Sequence, residues 1–127
     1  MSAALSFIAP PPGFEPAVDF MLDDIEGAHG LYALRPVNDQ SVRLFVLDAG
    51  IFLPEYTPEI SDDQAASLGL VDGDDALVLV VANPSESGTT MNLMAPIVVN
   101  SLSGSSAQFI LEGEDWPLRA QLTARSA

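Results

Sequence analysis

The chain's 127 residues are 48% hydrophobic and include eighteen acidic residues, four arginines and no cysteine, for a formal charge of −14. Such a field repels phosphate backbones and argues against direct nucleic-acid binding, while the lack of thiols rules out disulfides and thiolate metal sites and fits a reducing cytoplasm. The length suits one domain, residues 1–127, with a single ordinary core, and the longest apolar run, residues 76–82, is far below the roughly 20 residues a membrane-spanning helix needs.

Residues 1–5 show neither a basic start nor a long apolar stretch, so no secretory leader is expected. Residues 5–8 predict a short strand that runs into Pro10-Pro11-Pro12-Gly13, where proline forbids a helix. A strand follows at 18–22, then an acidic loop ending at Gly27. Residues 31–35 and 42–47 predict two strands, joined by a turn whose Asn38 and Asp39 can bond local backbone. Ser61 with Gln64 three residues on forms a capping-box pattern, and Asp62 and Asp63 favour the positive end of a helix dipole. Gly69 is a stop signal, so a helix is predicted over 62–68. After a turn at 72–75 comes a continuous apolar strand, 76–82, which belongs in the centre of a sheet. Residues 83–88 read as another turn.

Residues 89–100 are apolar at nearly every position, but Pro96 interrupts them. A proline cannot donate a ladder hydrogen bond, so two short strands with an irregular corner at Ala95-Pro96 are predicted. A Ser/Gly loop spans 101–106, a strand covers 107–111, and a last short strand is expected at 118–122. With no repeat and no second domain, the pattern is an all-β fold, a mainly antiparallel small barrel or sandwich, with one short α-helix.

Two places could meet a partner. Asn92, Ala95, Pro96 and Asn100 form a corner whose amides and backbone could be offered as a binding edge. The competing reading is that each asparagine caps a turn. The loop Phe52, Pro54, Glu55, Tyr56 sets aromatics beside acid. Glu55 and Tyr56 are expected at the surface, contacting a partner, and Phe52 in the core; the competing reading is that Phe52 plugs the barrel end and only Tyr56 is exposed. Other constellations are weaker. His29 lies in a turn and is the sole histidine, and the acids at 72–75 lack calcium-loop spacing, so neither metal nor cofactor is expected. Glu112, Glu114 and Asp115 raise the alternative of a small acidic hydrolase with two carboxylates facing a cleft. Trp116 reads as a core or lid residue.

Several segments in order resemble the FliW family of flagellar assembly factors. They are Pro12-Gly13-Phe14-Glu15; Leu44-Phe45-Val46-Leu47-Asp48 with Phe52 and Pro54-Glu55-Tyr56; Ser61-Asp62-Asp63 with Leu68-Gly69-Leu70; the strand at 76–81; Asn92-Leu93-Met94-Ala95-Pro96-Ile97-Val98-Val99-Asn100; and Trp116-Pro117-Leu118-Arg119. The chain departs from that pattern in an N-terminally shortened start, in Ala49 where the family prefers proline, and in a Ser/Gly loop after Asn100 where the family carries a basic one. The resemblance implies a non-enzymatic, monomeric, cytoplasmic regulator. It would bind the RNA-binding carbon storage regulator CsrA, relieving translational repression of flagellin, and would also bind flagellin. A third possibility is a diverged scaffold domain that has lost these partners.

Overall fold

The computed structural model describes residues 2–10, 17–25, 27, 30–38, 43–52, 56, 60–70, 75–85, 88–111 and 120–121. In chain order they form β1 (Ser2–Phe7), β2 (Asp19–Asp24), β3 (Leu31–Pro36), β4 (Leu44–Asp48), α1 (Ala49–Phe52), α2 (Asp62–Ser67), β5 (Ala76–Ser85), β6 (Gly88–Asn100), β7 (Ser105–Gln108) and β8 (Ala120–Gln121). Strand order is β5-β4-β3-β2-β1-β7-β6, and β6 pairs back onto β5, so seven strands close a barrel; β8 lies along the first half of β6. Every neighbouring pair is antiparallel except β1 and β7. β1 pairs with β2 along most of its length and with β7 at Ser6 and Phe7, so it joins the two ends of the sheet and closes the barrel.

The expected all-β class holds, with a second short helix added. α1 was not anticipated, because Ala49-Gly50-Ile51-Phe52 is only four residues and contains a helix-weakening glycine. It starts because Asp48 ends β4 and its Oδ1 accepts the Gly50 N–H at 2.9 Å, as an N-cap does. α2 forms as its caps dictate. The Gln64 N–H donates to Ser61 Oγ at 3.1 Å, and the Ser61 N–H donates to Gln64 Oε1 at 2.9 Å. At the other end the Gly69 N–H reaches Ala66 O and the Leu70 N–H reaches Ala65 O, with Gly69 at φ 71°. None of residues 62–67 is buried, so this helix is held by its caps and by Leu68, which is.

Two turn expectations need correction. Pairing of β5 with β6 runs through Pro84↔Thr89 to Ser85↔Gly88, so the region read as a turn at 83–88 is mostly hairpin strand. Proline fits because the last β4–β5 pair is Phe45↔Ala82, and beyond it β5 is an edge. β6 is likewise one continuous strand through Pro96, not two. The irregularity lies in its pairing. Between Leu79↔Ile97 and Val81↔Asn92, β5 advances two residues while β6 uses five, an excess of three. The bulge is therefore Leu93 to Pro96, opposite Val80.

An odd excess inverts which side chains face which way. Ile97 and Val99 point into the barrel with Leu5, Phe7, Phe20 and Leu79. Met91 and Leu93, also odd-numbered, belong to a second cluster on the outside with Leu47, Val80, Ala82 and Tyr56. Val46 and Leu47 on β4, and Leu79 and Val80 on β5, divide between the same two clusters by ordinary alternation. Inside the barrel, Phe7 and Phe20 meet edge to face at 5.1 Å between centroids. A third, smaller cluster lies where Leu68 packs onto Val98 and Ala107. Apolar residues occupy almost every position of β6 because both of its faces are covered.

Candidate partner-binding site

The proline corner is wired from within. All four of its carbonyls accept hydrogen bonds. Leu93 O takes the Tyr56 hydroxyl, and Met94 O takes the Leu111 N–H at 2.7 Å. Ala95 O takes Gln108 Nε2 at 3.0 Å, and Pro96 O takes the Phe109 N–H at 3.1 Å. Bulged residues lose their ladder partners, so these bonds replace what β5 no longer supplies. Pro96 and Leu93 are buried, whereas Asn92, Met94 and Ala95 are half-buried. The surface of the corner is thus built from these last three residues.

The two asparagines both act on local backbone. Asn92 Oδ1 accepts the Met94 N–H at 3.0 Å, an Asx turn that starts the bulge. Asn100 does more. Its Oδ1 accepts from Leu102 N at 2.9 Å and Ser103 N at 3.3 Å, and its Nδ2 donates to Leu68 O at 2.9 Å. Buried at the end of β6, it shapes the next turn and ties down the C-terminus of α2. That turn closes on Gly104 at φ 84°, where an added Cβ would lie 2.7 Å from Ala4 O, so only glycine fits between β1 and β7.

Tyr56 was expected at the surface, and this is corrected. It is only 9% exposed, packed in the outer cluster, with its hydroxyl spent on Leu93 O. Phe52, expected in the core, packs half-buried against that same outer cluster rather than plugging the barrel end. Glu55 lies outside the described residues, as do His29, Trp116, the Pro12–Glu15 turn and the three carboxylates Glu112, Glu114 and Asp115. Sequence reasoning missed Gln108, which holds Ala95 O from the neighbouring strand. A glutamine in an otherwise apolar strand beside a proline bulge was the available signal.

Among the described residues Asp19, Asp24, Asp62 and Asp63 are exposed, and Asp23, Asp48 and Asp75 are half-buried. Arg35 pairs with Asp23 across the outer face of β2 and β3, and Arg43 lies over the Phe45 ring at 5.1 Å. Burial raises the Tyr32 phenol pKa above its ordinary value, with Asp48 and Asp24 adding to the effect. Among the described residues no group of three or more His, Cys, Asp or Glu side chains could hold a metal, and no helix is long and apolar enough to cross a membrane.

The FliW protein family model matches residues 1–122. The flagellar assembly factor FliW of Thermosipho africanus is 30% identical over 115 residues, covering 88% of this chain and 79% of the relative. That of Clostridium kluyveri is 29% identical over 113 residues, covering 87% and 78%. A crystal structure of the flagellar assembly factor FliW superposes with a TM-score of 0.87 at 23% identity, over 98% of this chain and 88% of the other, and so has the same fold.

Proposed function

The chain belongs to the FliW family, and from that premise we propose that it is a non-catalytic flagellar assembly factor working by contact with other polypeptides. Its partners are the carbon storage regulator CsrA and flagellin. Bound to the regulator, it relieves repression of flagellin translation; flagellin competes for it. It acts as a monomer in the cytoplasm. The observation that carries this reading is the family match across residues 1–122.

The charge of −14 supplies a physical route. An anionic body docked beside a basic RNA site makes the local potential more negative and disfavours phosphate. At physiological salt that effect reaches only about 8 Å, so docking must place acid next to the RNA site. Asn92 and Ala95, with Met94 between them, are the contact residues of the proline corner. Pro96, Asn100 and Tyr56 act behind them by fixing the corner's shape, and Glu55 supplies acid beside Tyr56.

Mixing the purified protein with CsrA, and separately with flagellin, tests this by calorimetry at moderate salt. Binding of both is expected, and Ala95→Arg should weaken it about tenfold, the effect of a misplaced charge and lost packing at a contact. Binding to neither protein would remove the reading.

A further inference from the structure

Among the described residues, the chain after β7 carries an unfilled strand edge on the side away from the bulge. Hydrogen bonding to β6 continues past Gln108: the Phe109 N–H reaches Pro96 O and the Leu111 N–H reaches Met94 O. In an antiparallel ladder the intervening residues turn their backbone groups the other way. Gln108 and Ile110 therefore present theirs to the flank where β1 lies. The pairing of β1 with this side reaches as far as Ile8, whose N–H bonds Ser106 O at 2.9 Å, and the chain bends at Ile8 and Ala9. Among the described residues the backbone groups of Gln108 and Ile110 have no partner. Beside this edge stand two of the exposed large apolar side chains, Ile8 at 51% and Ile110 at 65% exposure.

The flanks of the edge are acidic. Asp19, exposed on β2, pairs with Ser6 two residues before Ile8. Asp62 and Asp63 are exposed in the first turn of α2, just beyond Ile60, which shares a cluster with Phe109. The described arginines stand elsewhere, Arg35 on β3 against Asp23 and Arg43 over Phe45. We propose that residues 108–110 are a docking edge for an extended, basic segment of another protein, which adds as a strand in the line β1 vacates. Its backbone pairs with Gln108 and Ile110, its apolar side chains cover Ile8 and Ile110, and its cations face the acidic flanks. A second copy of this chain is the poorer occupant, because it would bring another charge of −14 to the same edge. The edge is independent of the contacts proposed for the proline corner.

The probe is a short synthetic peptide of alternating valine and arginine, titrated into isotope-labelled full-length protein at moderate salt. Amide resonances of residues 108–110 should shift. Two controls separate pairing from charge: the same peptide with alternate backbone amides N-methylated, and one with glutamate for arginine. Each should bind about tenfold or more weakly. Ile110→Pro removes the open donor and Ile110→Lys adds a repelling charge; each should weaken binding about tenfold or more, and Ile110→Val should not, with circular dichroism confirming the barrel in each. Undiminished binding by the methylated or acidic peptide, undiminished binding to Ile110→Pro or Ile110→Lys, shifts confined to residues 92–95, or no binding would overturn the proposal. So would self-association of the free protein, seen in sedimentation, that Ile110→Lys abolishes.

Discussion

The barrel interior and the outer cluster are both apolar, and β6 contributes to each, yet they are built differently. The interior is a lattice of alternating side chains from successive strands, and Phe20, Leu34, Val46, Leu79 and Ile97 are almost fully buried in it. The outer cluster depends on irregular pieces: the bulge that turns Met91 and Leu93 outward, the short helix that brings Ala49, and the loop that brings Tyr56. Regular pairing suffices to fill a barrel. A second core on the outside of the same strands requires a register break and a hydrogen bond to hold it.

The sharpest way to break this comparison is to change the parity of the bulge. Deleting Ala95 leaves an even excess of two residues against β5, so Met91 and Leu93 are driven inward or Ile97 and Val99 outward. The expected result is loss of cooperative urea unfolding at 25 °C, a cost beyond about 5 kcal/mol. Ala95→Gly keeps the count and should cost about 1 kcal/mol or less. A stable deletion variant would show that the outer cluster does not depend on the inversion. The next largest effect is at Asn100. Asn100→Ala strips a buried side chain of three hydrogen bonds and leaves Leu68 O and two N–H groups unsatisfied, at about 3 kcal/mol in the same assay. Asn92→Ala, which removes one half-buried bond, should cost about 1 kcal/mol or less.

This contrast also marks what could be read from the chain. α2 was legible to the residue at its start, because its boundaries depend on local chemistry in Ser61, Gln64 and Gly69. The strands read at 31–35, 42–47 and 76–82 were legible as β3, β4 and β5 to within a few residues, because alternation and β-branched runs are local too. Barrel against sandwich was not, since closure depends on β1 meeting β7, nearly the whole chain apart. Pro96 correctly signalled an irregularity, but periodicity could not tell a broken strand from a continuous one with an excess of three residues against one flank only. The strand read at 107–111 is instructive: its assigned span stops at Gln108, while ladder bonds continue to Leu111. Pro96 lacks the donor that would complete the pattern. Tyr56 was misplaced because nothing local reveals a carbonyl at Leu93, 37 residues away, waiting for its hydroxyl.

The two tyrosines in the chain sharpen the comparison, one beside each core. Tyr56→Phe keeps the ring in the outer cluster and removes the bond to Leu93 O. The unpaired buried carbonyl should cost about 1–2 kcal/mol at neutral pH, read from the urea midpoint. Tyr32 stands at the margin of the interior cluster, and Tyr32→Phe should be close to neutral there, because among the described residues its hydroxyl has no buried partner to lose.

The smallest effect appears only in alkali, and its sign is fixed. Burial first, then Asp48 and Asp24, disfavours the Tyr32 phenolate and raises its pKa above 10.0 in the folded state. Below the unfolded value both states hold the proton and stability is unaffected. As pH rises past about 10 the unfolded chain loses its proton first, so stability falls until the folded phenol also ionises. With no lysine and no cysteine in the chain, only the two tyrosines titrate in that window, which makes the measurement unusually clean. Urea midpoints followed from about pH 9 to 11 should decline, and Tyr32→Phe should reduce the slope. The phenolate absorbance lost on Tyr32→Phe should belong to a tyrosine that ionises later than a free phenol. A slope unchanged by Tyr32→Phe would show that Tyr32 does not carry the alkaline loss of stability.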